Sequence, residues 1–190
     1  LMDMVVEKEI AHTIFKKITN FNLERIRRFL LANKDIIDIV GIGDDVASQR
    51  SLLLSPSLWR EMIKPYLQEL VDICYKFNVI PYYHGCGGFK DLFDDFIDMG
   101  IKCVGKLQPE AAGNNFQKLK KEYGEKICLW GAIDAQHIVT NGNVPEVDRH
   151  IDSLLQINNE QPGFVIGPSH SFTADTPVEN IIAIYNKLRK

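Results

Sequence analysis

His84, Gly85 and Cys86 place an imidazole and a thiol two positions apart at the close of an apolar stretch. In an extended strand, residues i and i+2 project to the same face, so both side chains would leave the strand end together. Zinc is the first metal that a mixed nitrogen and sulfur pair of this kind suggests. A third donor must come from elsewhere in the chain, and His170, after the last apolar run, is the candidate. Three protein ligands would leave one coordination position open, the arrangement of a catalytic rather than a structural zinc. The plainer alternative is a packed histidine beside an inert thiol, because His-x-Cys alone is a weak motif. Cys74, Cys103 and Cys128 fit that plainer reading, the first on a helical pattern and the others inside apolar strand patterns. His12, His137 and His150 fall on expected helices or loops and read as surface residues.

The elements that would carry these side chains alternate regularly. Val5 to Asn33 has apolar residues at helical spacing (Ile10, Ile14, Ile18, then Leu23, Ile26, Leu30), and Asn20 to Asn22 predicts a break into two helices. Ile36 to Ile42 reads as a strand, and Ser55 with Pro56 as the capped start of one long helix reaching Phe77. Strand-then-helix punctuation then recurs four times. Val79 to Tyr83 precedes Phe89 to Met99, and Ile101 to Lys106 precedes Asn114 to Tyr123; Lys126 to Trp130 precedes Pro145 to Asn158, and Phe164 to Ile166 precedes Pro177 to Leu188.

Such alternation implies parallel strands joined by right-handed crossovers, in either an open doubly wound sheet or a closed (β/α) barrel. The glycines of His84-Gly85-Cys86-Gly87-Gly88 do not match a dinucleotide fingerprint, which weighs against the first. A barrel gathers functional residues where strands end, because the βα loops converge there. All five expected strands end in polar groups: Asp44 and Asp45; His84 and Cys86; Gln108 and Glu110; Asp134 and Gln136; Ser169 and His170. The acidic ones among them also suit helix caps and turns. A full barrel of eight units takes about 250 residues, so the expectation is a partial barrel of five parallel βα units preceded by helices.

Composition sets the outer bounds. The chain has 190 residues, 45% hydrophobic and 25% charged, with net charge -3 and a pI near 6.0. That reads as one ordinary folded domain over 1–190. No clustered basic face asks for nucleic acid; Arg25 to Arg28 is a solvated helix face. No apolar run approaches the ~20 residues of a membrane span, so the cytoplasm is the expected location. Four scattered cysteines predict free thiols or metal ligation rather than disulfides. Leu1 is not an initiator, so the chain reads as part of a longer one, and an unclosed sheet would leave two edges that invite self-association.

Several segments taken together resemble the uroporphyrinogen decarboxylase superfamily. They are Gly43-Asp44-Asp45 with Gln49-Arg50 and Leu54-Ser55-Pro56; His84-Gly85-Cys86-Gly87; Leu107-Gln108-Pro109-Glu110; Gly131-Ala132-Ile133-Asp134; and Gly167-Pro168-Ser169-His170 with Asp175-Thr176-Pro177-Val178-Glu179-Asn180. They stand in that family's order across nearly the whole chain. The resemblance implies the later part of a (β/α)8 barrel. Decarboxylases of that family bind a tetrapyrrole and lack His-x-Cys at this strand, so the chain is more similar to the cobalamin-linked methyltransferase branch. The resemblance then implies zinc on His84, Cys86 and His170, the last standing where that branch has a cysteine. It implies a corrinoid carried by a partner protein, with a small-molecule methyl donor or thiol acceptor. Asp134 and Glu110 are the candidate catalytic groups, and Gln108, Asp45, Gln49 and Ser169 the candidate substrate-binding ones. A tetrapyrrole decarboxylase and an inactive barrel fragment are the alternatives.

Overall fold

A computed structural model describes residues 1–33, 36–160 and 163–189. Five strands, β1 (Ile39–Gly43), β2 (Ile80–His84), β3 (Cys103–Leu107), β4 (Cys128–Ile133) and β5 (Phe164–Pro168), form one all-parallel sheet in chain order. Helices alternate with them: α1 (Asp3–Val6) and α2 (Lys8–Asn33) precede β1, and α3 (Pro56–Met62) and α4 (Lys64–Lys76) lead to β2. Further along come α5 (Phe93–Met99), α6 (Phe116–Tyr123), α7 (Val144–Glu160) and α8 (Val178–Leu188). This is the expected α/β fold, a partial (β/α) barrel, and among the described residues both edge strands, β1 and β5, lack an outer partner. No helix of the described residues is long and apolar enough to cross a membrane.

Two helix boundaries differ from the sequence reading, each for a local reason. α2 runs through Asn20 and Asn22 without a break. It lies along α3 and α4, where Lys8 meets Glu61 of α3, and Lys16 meets Glu69 and His12 Nδ1 sits 2.8 Å from the Tyr66 hydroxyl of α4. These contacts before the Asn pair, and the burial of Leu30 after it, override its weak helix propensity. The expected long helix from Pro56 is instead two, parted at Ile63. Pro65 has no N–H to donate and its ring crowds the carbonyl four residues back, so it can only sit in a helix's first turn. Ser55 caps α3 as expected, its hydroxyl accepting from the Leu58 amide.

Alternation along the strands separates two faces. Ile42, Tyr83, Val104, Leu129 and Ile133 are buried against the helices, together with Val71, Phe93, Phe96, Leu119, Val147 and Ile151. Aromatic rings dominate the middle of this layer: Tyr83 lies 4.3 Å from Phe96 between ring centroids, and Trp59 meets Phe96 edge-on at 5.7 Å. The opposite face, which would look into a barrel, carries Ile39, Ile80 and Val165 exposed. Tyr82 reaches Trp130 there, at 5.0 Å between centroids, across a middle strand that has only Gly105 beneath Trp130.

The break at Ile63 is bridged by a carboxylate on α5. Asp95, 5% exposed, takes Arg60 from before the break (Nε 3.0 Å) and Lys64 from after it (Nζ 2.7 Å). Burial pushes the Asp95 carboxyl up, but the hydrogen bonds from Arg60 and Lys64 outweigh it and hold the group below its ordinary value. A depressed carboxyl stabilises the fold above its unfolded-state pKa, and that contribution is lost as pH falls through the folded value. Both cations keep contact with water, which screens the pair. Asp95→Asn is therefore expected to lower stability by about 1–2 kcal/mol at pH 7, with the deficit shrinking towards pH 3; urea denaturation at the two pH values checks this.

Candidate functional site

The loops that follow the strands converge at the carboxyl end of the sheet, and one buried amide joins three of them. Gln108, 3% exposed, accepts two hydrogen bonds on its Oε1, one from Gln49 Nε2 and one from the Gly87 amide, each 2.7 Å. Asn114, 1% exposed, donates from Nδ2 to the carbonyls of Gln108 (2.9 Å) and Gly87 (3.3 Å). Gly87 has φ +84°, and a Cβ there would stand 2.3 Å from the Ser48 carbonyl oxygen. Glycine is required at that point because two loops touch backbone to backbone. Asp45 completes the frame by accepting the Cys86 amide at 2.9 Å.

Other expected site residues serve neighbouring loops. Asp134 accepts the amides of Gln136 (3.0 Å) and His137 (2.8 Å) on Oδ1, capping a π-helical turn over Ala135–Val139. Ser169 accepts the Ala135 amide at 3.2 Å. His150 is not a surface residue: its Nε2 lies 3.1 Å from both the Asp134 amide and the Ala132 carbonyl, and burial lowers its pKa. His12 likewise packs on Tyr66, whereas His137 is exposed as expected. Cys74 is the inert thiol anticipated, fully buried and pushed up to about 11 by desolvation.

Cys86 and His170 both line a cleft of about 510 Å³, with Gln49, Gln108, Gln136 and Asp175. His84, Asp134 and Glu110 are not part of that lining. His84 turns back along the sheet, its Nδ1 accepting the Lys106 amide at 3.2 Å. A histidine that binds zinc through Nε2 must carry its proton on Nδ1 and donate it, usually to a carbonyl or carboxylate. Here Nδ1 accepts, so Nε2 holds the proton. The Cys86 thiol is pushed up, first by burial and then by Asp45, to which it hydrogen-bonds. Among the described residues no three His, Cys, Asp or Glu side chains stand together to hold a metal ion. As arranged, the donors do not fit the expected zinc site.

Glu110 is the outlier. Both its carboxyl oxygens are buried without a partner from another residue; burial raises its pKa, its own backbone amide opposes that, and the nearby Asp134 charge adds to the rise against a smaller opposing effect of His137. A carboxyl so placed keeps its proton to higher pH than an exposed one. Period-two alternation from His84 could have revealed Tyr82 on the same face. Nothing in the sequence marks Asn114 or the Lys106 amide as part of the frame.

Three comparisons bear on this arrangement. The family model described as Uroporphyrinogen decarboxylase (URO-D) matches residues 1–190. No curated protein matches the chain. Among solved structures, a methyltransferase from Methanosarcina mazei superposes with a TM-score of 0.62 at 24% identity, over 79% of this chain and 41% of that one. The chain thus spans about two fifths of that structure's length, and the likeness supports the fold.

An unpartnered buried carboxyl costs stability where it ionises. Above its raised folded-state pKa the cost is complete; below the unfolded-state value of about 4.3 it vanishes, since both states are then protonated. Glu110→Gln is expected to be more stable than the parent by about 1 kcal/mol at pH 7.5, with no gain at pH 3.5, as measured by thermal melts across pH.

Proposed function

The chain belongs to the uroporphyrinogen decarboxylase family, and from that premise we propose that it is part of a methyltransferase that moves a methyl group between a corrinoid protein and a small thiol or methyl donor. The observation that carries this reading is the cleft holding Cys86 and His170. Its lining has a thiol, an imidazole, amides and the Asp175 carboxylate, but no arginine or lysine. The His-x-Cys pair and the methyltransferase among the structural neighbours point the same way.

Each residue has a definite task in this proposal. The corrinoid, carried by a separate protein, supplies or accepts the methyl group. A thiol acceptor must lose its proton as its sulfur forms the new bond to carbon, and the exposed His170 imidazole at the cleft is the group that can take that proton. Gln108 is locked by Gln49 and Gly87, and so holds the Cys86 loop against the loops that follow β1 and β3. Gln49 and Gln136 offer amides to orient a polar substrate. Glu110, buried near Asp134 with its pKa raised above the ordinary carboxyl value, is given no step. No step is assigned to zinc, because the three donors do not gather.

With methylcobalamin as methyl donor and 2-mercaptoethanol as acceptor, His170→Ala is expected to lower transfer at least about 100-fold while leaving the melting temperature unchanged. Equal rates in the variant and the parent, or release of carbon dioxide from a porphyrinogen, would overturn the reading. Elemental analysis of the purified chain is expected to find well under one zinc per chain. Stoichiometric zinc that disappears in His84→Ala would show instead that the ring turns over to ligate.

A further inference from the structure

Two cysteines at the far end of the sheet have no part in that chemistry. Cys103 opens β3 and Cys128 opens β4, and they are register partners in the parallel ladder. Neighbouring strands lie ~4.8 Å apart, within the ~4.4–6.8 Å separation of Cα atoms that a disulfide spans. Val104 and Leu129, the next residue on each strand, are fully buried on the helix side, so both cysteines face the opposite way, with Trp130. Both are free and only half-buried. The inert packed thiols expected inside apolar strands are therefore a facing pair.

Their sulfurs act on each other directly. The Cys103 thiol is pushed up and the Cys128 thiol down, chiefly because Cys103 donates to the Cys128 sulfur; desolvation opposes the drop at Cys128, and Lys120 adds to it. Cys128 is thus the better nucleophile of the two near neutrality. Cys86 stands beyond the other end of the sheet, and a five-residue strand rises ~3.3 Å per residue, so the pair is separate from the cleft.

We propose that Cys103 and Cys128 form a dithiol modification site that exchanges with small disulfides and closes into a cross-strand disulfide. The Cys128 thiolate attacks one sulfur of the small disulfide, its S–S bond breaks, and one thiolate leaves. The Cys103 sulfur, giving up its proton, then attacks the mixed disulfide on Cys128 and expels the second thiolate. Two cysteine thiols are oxidised, one small disulfide is reduced to two thiols, and both cysteine protons end on the released thiols.

The full chain incubated with oxidised glutathione at pH 7.5 tests this by intact-mass and peptide analysis. The expected product has lost two hydrogens and yields a Cys103–Cys128 linked peptide that dithiothreitol reverses. Cys103→Ser is expected to stop at one glutathione on Cys128, and Cys128→Ser to react at position 103 at least tenfold more slowly than Cys128 does in the first variant. A linked peptide that forms only in urea, or glutathione on Cys86 with positions 103 and 128 untouched, would overturn the proposal. Because these readouts need no methyl transfer, they stand or fall apart from the proposed function.

Discussion

The carboxyl end of the sheet depends on a single side-chain oxygen. Gln108 Oε1 accepts from Gln49 after β1 and from the Gly87 amide after β2 while itself following β3. Three loops with no regular structure between them thereby share one buried acceptor, where an unmade bond would cost more than a surface one. Asn114 returns to the same two loops through their carbonyls. Everything proposed for Cys86 rests on this frame, since the thiol sits on the loop that Gln108 and Asp45 fix from two sides. A glutamate at position 108 could accept the same two bonds but would bring a charge into a dry place.

Much of the fold was legible because it rests on periodicity. The five strands, their parallel order and the helices between them follow from alternating apolar runs, and the strand ends did supply the loop residues that meet. What the sequence hid depended on contacts made at a distance. Nothing local says that α4 would hold α2 straight through two asparagines, or that a carboxylate thirty residues downstream would bridge the Pro65 break. The site was half legible. Cys86 and His170 line one cleft, but His84 points elsewhere because a backbone amide of β3 occupies its Nδ1. Hydrogen-bond direction is set by neighbours in space, and His-x-Cys spacing carries no trace of it.

The candidate polar residues also divide by whether their hydrogen bonds are met. Asp134, Ser169, Asp45 and Gln108 are engaged with backbone amides, and a loop would shift if any were removed. The Glu110 carboxyl meets no hydrogen-bond donor from another residue, and a buried polar group left so in a native fold asks for a reason other than stability. The exposed apolar residues follow a different logic. Among the described residues, Ile39, Ile80 and Val165 make the face away from the helices apolar, while the free backbone donors and acceptors lie along the two edges, β1 and β5.

The two tryptophans sit on opposite sides of this sheet. Trp59 is enclosed among the helices, against Phe96, with its indole N–H unpartnered. Trp130 lies on the open side, against Tyr82, under the Lys106 ammonium and over Gly167, where any side chain would collide with its ring nitrogen. Their emission therefore comes from two unlike surroundings. A blue, shielded component reports the helical layer, and a quenchable one reports whatever arrives on the bare face. The protein carries a built-in optical probe for each side.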